Sequence, residues 1–297
     1  MSNTEIEALE KMLRSRPKAL DIPKRREAYD AQSDLFPLAR DVTAELLDLA
    51  GVPAERTRTA GAIAHKTVVY LHGGGYVYGS IRSHRHFASE LARHARAESV
   101  ALDYRRAPEA TFPAALDDAV AAWRALLDSG ARSEDLALAG DSAGGGLAVA
   151  LMVRLREIGL AQPVATVLFS PWVDMLAAGE TYSENAARDP VVNRGIINFC
   201  ARQYIGESLQ DAPLASPVRA DLKGLAPMTI FTGSTETLLD DSIQLARVAG
   251  IADVHVRLEI WPGMFHIWPS YHQMLGKGRE TLSVAGAALH AALNPVT

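Results

Sequence analysis

The chain has 297 residues, 48% hydrophobic and 22% charged, a balance that excludes a disordered or fibrous protein and allows a sizeable buried core. Its net charge of −5 offers no basic face for nucleic acid or an anionic membrane surface, and a neutral small molecule is the better-fitting partner. The single cysteine, Cys200, excludes an internal disulfide framework and a cysteine-based metal cluster; it reads as a structural thiol in a reducing compartment.

In chain order, the opening stretch MSNTEIEALEKMLRSRP lacks the apolar core of a signal peptide. Its spacing predicts an amphipathic helix with Ile6, Leu9, Met12 and Leu13 on one stripe, starting at Asn3 or Thr4 and ending before Pro17. The longest apolar run, residues 147–153, is too short to cross a bilayer, and the expected location is cytoplasmic. From residue 66 short β-rich runs alternate with helical ones, the pattern of a mostly parallel sheet with helices on both faces. Strands are expected at 67–72, 99–104, 136–141, 163–170, 228–233 and 254–260, and helices at 113–130, 143–158, 240–249 and 276–292. Residues 1–45 and 180–212 do not fit the alternation and are expected to form a helical cap over a core made of 46–179 and 213–297. Within the second segment, Asp189-Pro190 reads as a helix start signal.

The strand at 136–141 runs into Gly140-Asp141-Ser142-Ala143-Gly144, the G-x-S-x-G pattern at a strand-to-helix junction, where a sharp turn holds a serine hydroxyl clear of the sheet. A serine needs a base to take its proton. Of the nine histidines, His255 alternates with apolar residues and should face solvent, while His84, His86 and His94 read as a solvated helix face rather than a metal site. His266 instead follows the Pro262-Gly263 break beyond the last strand, at the sheet edge that Ser142 occupies, and is the expected base. Glu236, just past the strand at 228–233, is the expected carboxylate partner; Asp240 and Asp241 open the next helix, where acids suit the macrodipole without a catalytic role. The chain order Ser, acid, His is that of α/β-hydrolases. The glycine run Gly73-Gly74-Gly75 after the first expected strand would let a substrate oxyanion approach backbone amides, with the Ala143 N–H completing the hole.

Taken together, HGGGY (72–76), DYRRAPE (103–109), FPAALDDA (112–119), GDSAGG (140–145), SPWVD (170–174), DP (189–190), GSTETLLDD (233–241) and WPGMFH (261–266) resemble the blocks of the hormone-sensitive lipase family of α/β-hydrolases, the bacterial family IV carboxylesterases. The resemblance covers about residues 60–290 and extends to a branch that includes monoterpene lactone hydrolases. It implies an α/β-hydrolase fold with a helical cap, and a cofactor-free, metal-free serine esterase acting on short-chain or small hydrophobic esters or lactones. The implied triad is Ser142, Glu236 and His266, with Gly73, Gly74 and Ala143 as oxyanion donors and Asp103, Tyr104, Arg105 and Glu109 as support beneath the hole. Tyr76 stands where Trp or Phe is frequent, Arg106 where Leu is usual, and Glu236 where many members have Asp. Tyr76, Phe199 and Tyr204 are expected to bound the substrate pocket, and the reading allows a homodimer. Two other functions use the same scaffold: acyl transfer to an alcohol through the same triad, and non-catalytic binding of a small molecule.

Overall fold

The computed structural model describes residues 3–16, 21–206 and 212–295. Its elements, in chain order, are helices α1 (Asn3–Arg14), α2 (Ile22–Asp30) and α3 (Gln32–Leu35), strands β1 (Thr43–Leu49), β2 (Val52–Arg58) and β3 (Thr67–Leu71), then α4 (Ile81–Ala95), β4 (Glu98–Leu102) and α5 (Ala114–Asp128). There follow β5 (Leu136–Asp141), α6 (Ala143–Glu157), β6 (Thr166–Phe169), α7 (Thr181–Glu184), α8 (Arg194–Ile205), β7 (Met228–Gly233), α9 (Leu239–Ile251), β8 (Val256–Trp261) and α10 (Gly276–Leu293). The strands form one eight-stranded sheet in the order β1-β2-β4-β3-β5-β6-β7-β8. β1–β2 and β2–β4 are antiparallel; every other neighbouring pair is parallel.

Strand alternation builds two cores, one on each face. Val69, Leu71, Leu136 and Leu138 point to the side covered by α5, α6 and α9, where they meet Trp123, Leu147 and Leu245. Val68, Tyr70, Ala137 and Ala139 point to the side covered by α4 and α10, where they meet Phe87, Leu91 and Leu289. Because β3 and β5 are buried on both faces, they read as continuous apolar runs rather than alternating ones. On α1, Leu9 and Leu13 are buried in the second core with Ile6 and Met12 packed beside them, as the stripe predicts; burying one such leucine contributes about 2 kcal/mol. Pro17 lies outside the described residues.

Two features depart from the sequence reading. The β1–β2 hairpin was not expected, and the boundary placed at 45/46 falls inside β1. Six of the seven β1 residues are not fully buried, and β2 carries Glu55, Arg56 and Arg58, so neither shows the apolar run of a core strand. The true signal is local: Ala50 and Gly51 both have positive φ, at 55° and 86°, the tight primed turn that matches strand twist. Helix α8 starts at Asn193, whose side chain accepts the Ile196 N–H at 3.1 Å, and not at Asp189-Pro190. Asp189 instead folds a turn, its carboxylate accepting the N–H groups of Val191 at 2.9 Å and Val192 at 3.3 Å.

The parallel half of the sheet sets up the chemistry. Ser142 follows β5, Ser170 follows β6, Glu236 follows β7 and His266 follows β8, so four polar side chains from distant parts of the chain stand in a row along one edge. The α1–α2 segment is tied to this edge through Arg26: its guanidinium donates to the carbonyls of Val77 and Ala107 and pairs two-pronged with Glu109, each at 2.8 Å. No helix among the described residues is long and apolar enough to cross a membrane.

Candidate active site

Ser142 sits between β5 and α6 with φ 52° and ψ −121°, outside the conformations a non-glycine residue ordinarily adopts. Such backbone strain costs on the order of 1–3 kcal/mol and persists only where surrounding structure over-determines it. Here the Ser142 N–H donates to Phe169 O at 2.9 Å, and its own carbonyl accepts from Gly146 and Trp172. Gly144 explains the motif's last position: a Cβ there would lie 2.0 Å from Leu71 O.

His266 reaches Ser142 from the loop after β8, with Nε2 3.0 Å from Ser142 Oγ. The ring is buried, and burial lowers its pKa to about 4, with the nearby Asp141 charge opposing the shift. A neutral imidazole, its Nε2 placed to accept a hydrogen bond from the serine hydroxyl, is therefore the resting state at neutral pH. The other ring nitrogen, Nδ1, is buried without a hydrogen-bond partner.

Glu236 is fully buried at the end of β7. Its carboxyl accepts the hydroxyls of Ser170 and Thr232, each at 2.8 Å, and the Gly233 N–H at 3.0 Å. Burial pushes it up to about 8, against the pull of those three hydrogen bonds. Its link to the histidine loop runs through Ser170, whose Oγ also accepts the Ile267 N–H at 3.0 Å. The structure thus joins Ser142 to His266 directly, and Glu236 to the residue after His266 through one hydroxyl. The other two acids considered are occupied elsewhere. Asp241 accepts the N–H groups of Val173 and Asp174 and the Tyr182 hydroxyl, and Asp240 accepts the Thr181 N–H.

The glycine loop requires one correction. The Gly73 N–H is not free for an oxyanion, because it donates to Asp141 Oδ1 at 2.9 Å. The same carboxylate accepts the Tyr70 hydroxyl at 2.7 Å and lies 3.5 Å from His84 Nε2. Burial works against its ionisation, but His84 and Tyr70 outweigh that and hold Asp141 below its ordinary pKa. A Cβ on Gly73 would fall 2.1 Å from Asp141 Oδ2, so this glycine makes room for its own anchor. The amides of Gly74, Gly75 and Ala143 donate no hydrogen bond among the described residues. Gly74 and Gly75 both have positive φ, at 115° and 65°, which turns the loop so that successive N–H groups stay unpaired. Beneath the loop, Tyr104 donates to His72 O at 2.6 Å and stacks on the His72 ring at 4.2 Å, while Arg105 pairs with Asp118.

The expected pocket residues lie together in the core. Tyr76, turned inward by a φ of 60°, stacks face to face on Tyr204 at 3.8 Å; both are buried, and Phe199 packs against the same core. None of the three lines the cavity of about 440 Å³ between the N-terminal helices and the 186–196 segment. Its apolar lining includes Leu13, Tyr29, Leu35, Val191 and Ile196, and it extends to Ile267 and His84, neighbours of His266 and Asp141, while Ser142 and His266 themselves lie outside its lining. His84 and His86 are buried, contrary to the solvated face expected for them, because α4 is covered by α10 and the 268–271 turn; His86 Nε2 donates to Ser270 O at 3.0 Å. His255 is exposed, as the alternation implies. No group of three or more metal-binding side chains comes together among the described residues. Asp141, Ser170 and His84 were given no role from sequence; the signal for Asp141 was its place as the variable residue of G-x-S-x-G, at the end of a wholly apolar strand.

An α/β hydrolase fold family matches residues 68–270. An acetyl-hydrolase of Streptomyces hygroscopicus is 42% identical over 272 residues, covering 92% of this chain and 91% of the relative. A crystal structure of an esterase from the bacterial hormone-sensitive lipase family superposes with a TM-score of 0.96 at 41% identity, covering 99% of this chain and 100% of that one. The chain belongs to the hormone-sensitive lipase family of α/β-hydrolases. An esterase of Acinetobacter venetianus, 31% identical over 87% of this chain and 85% of its own, agrees with that placement. This hydrolase is accordingly an esterase, and its sheet edge carries a strained serine, a buried imidazole and unpaired backbone amides.

Proposed function

We propose that this hydrolase cleaves short-chain or small hydrophobic carboxylic esters through an acyl-enzyme formed on Ser142. The observation that carries the reading is the 3.0 Å contact between Ser142 Oγ and His266 Nε2, which gives the serine a base within proton-transfer reach. Ser142 Oγ attacks the carbonyl carbon as its proton passes to His266. The negative oxygen is met by the N–H groups of Gly74, Gly75 and Ala143, with Gly73 holding the loop in place through Asp141. His266 then returns the proton to the departing alcohol oxygen. Water, deprotonated by the same imidazole, attacks the acyl-serine and releases the acid.

Glu236 completes the relay as the partner of His266 Nδ1–H. What supports this is a buried ring nitrogen lacking a partner and a buried carboxyl held one serine away. Contacts of this kind often tighten only with substrate bound. Burial makes the charge on Glu236 costly, the hydrogen bonds from Gly233, Ser170 and Thr232 oppose that, and the imidazolium formed at His266 favours the carboxylate further.

The test is nitrophenol release from p-nitrophenyl acetate, butyrate, octanoate and laurate, together with ring opening of a seven-membered lactone, whose ester bond the same groups can reach. On the short-chain reading, acetate and butyrate should be turned over at least about tenfold faster than laurate. Equal turnover across the series would contradict the short-chain reading.

The pH profile is a separate expectation. Burial keeps His266 neutral down to about 4, so kcat/KM should hold level below the ordinary histidine value of about 6.5 and fall only toward pH 4. The unfolded chain takes up this proton near pH 6.5 and the folded chain does not, so the associated stability is complete above 6.5 and lost as pH falls toward 4. An acid limb centred at or above 6.5 would count against a buried base.

A further inference from the structure

The cavity combines apolar walls with a set of cations. Arg14, Arg16 and Arg25 all line it, and none of them forms an ion pair among the described residues. Arg14 donates to a backbone carbonyl, that of Arg188, at 2.8 Å. Arg16 touches the Tyr271 hydroxyl at 3.5 Å, and Arg25 rests 5.1 Å above the Tyr78 ring. Arg26, the next residue, is matched by Glu109, and Arg82, Arg85 and Arg93 are matched by Asp34, Glu55 and Asp41. The one acid among the cavity's lining residues is Asp189, whose oxygens are taken by the N–H groups of Val191, Val192 and Thr237. Three guanidinium groups therefore share a partly enclosed cleft with no free counter-charge, in a molecule whose net charge is −5. A neutral ester has no use for them. A carboxylate would relieve their mutual repulsion and meet the planar fork that guanidinium offers it.

We infer that this hydrolase selects esters carrying a carboxylate at the far end of an apolar body from the scissile carbonyl, with Arg16 and Arg25, which line the cavity, receiving that carboxylate. The carbonyl then reaches Ser142 past Ile267, the residue after His266, while the alkyl portion lies in the cavity along Leu13, Tyr29 and Ile196. The inference rests on the reading of Ser142 as nucleophile. It assigns specificity to the N-terminal segment, with Arg25 on α2 and Arg16 just past the end of α1.

The test compares p-nitrophenyl hydrogen adipate with its methyl ester, p-nitrophenyl methyl adipate. The two share the leaving group and acyl chain and differ in charge. The wild type should favour the anionic ester by about tenfold or more in kcat/KM. In the Arg16→Gln, Arg25→Gln variant that ratio should fall at least about fivefold, mainly through KM, while Arg16→Lys, Arg25→Lys should keep most of it. A wild-type ratio at or below one, or an unchanged ratio in the glutamine variant, overturns the inference and leaves the esterase reading standing. Hydrolysis of neither ester, or equal hydrolysis by Ser142→Ala, removes the esterase reading and this inference with it.

Discussion

Replacement of Ser142 by alanine is expected to lower kcat/KM for p-nitrophenyl acetate by roughly 10⁵-fold, since loss of the nucleophile in serine hydrolases leaves only what the oxyanion amides and binding supply. The fold should survive, because the Ser142 side chain has no structural bond besides that to His266. The backbone makes a second, less obvious expectation. Ser142 is held at φ 52°, ψ −121°, a conformation that glycine adopts without penalty. Ser142→Gly should therefore be as inactive as Ser142→Ala yet more stable than the wild type by about 1 kcal/mol, measured by urea unfolding. Stability that falls in the glycine variant would mean that the elbow is not strained, and that the serine is held there by bonds beyond those described.

Glu236→Gln should lower kcat by about 10³- to 10⁴-fold with KM nearly unchanged, because an amide can hold the imidazole's place but cannot stabilise its positive charge. The substitution should leave the fold intact for a reason visible in the hydrogen bonds. The amide oxygen can accept from Ser170 and Gly233, which both meet Oε2, while the amide nitrogen faces the Thr232 hydroxyl, which can turn to accept. Asp241→Asn makes the contrast. Its carboxylate accepts two backbone N–H groups and the Tyr182 hydroxyl, so the change should show in thermal unfolding more than in kcat. If the two variants exchanged these phenotypes, the acid would be Asp241.

How much of this was legible in the chain follows from where each signal is written. Buried central strands such as Leu136–Asp141 and Met228–Gly233 announce themselves as apolar runs bounded by turn residues, and their ends fall where the sequence places them. The β1–β2 hairpin was illegible because its strands lie at the sheet edge, exposed or paired through charges such as Glu55 with Arg85. Ser142 and His266 could be found because each follows a parallel strand, and parallel strands bring their C-terminal ends to one edge. Gly73 was misassigned for the opposite reason. Which of three successive glycine amides is free depends on the partner that Asp141 supplies from another strand, and no local pattern records that. The same holds for His84 and His86, whose polar spacing along α4 resembles a solvent face until α10 is packed over it. The cavity is the least local feature. It is assembled from α1, α2 and the 186–196 turn, parts of the chain that no single run of residues brings together.

The central claim is that one hydroxyl among all those in the chain is made reactive by a buried imidazole at 3.0 Å. Treatment with a fluorophosphonate, followed by peptide mass spectrometry, reads this directly. The account predicts a single phosphonyl group on Ser142, gained in proportion to activity lost and absent when His266 is replaced by alanine. Full inactivation with Ser142 unmodified, or equal labelling without His266, would contradict it.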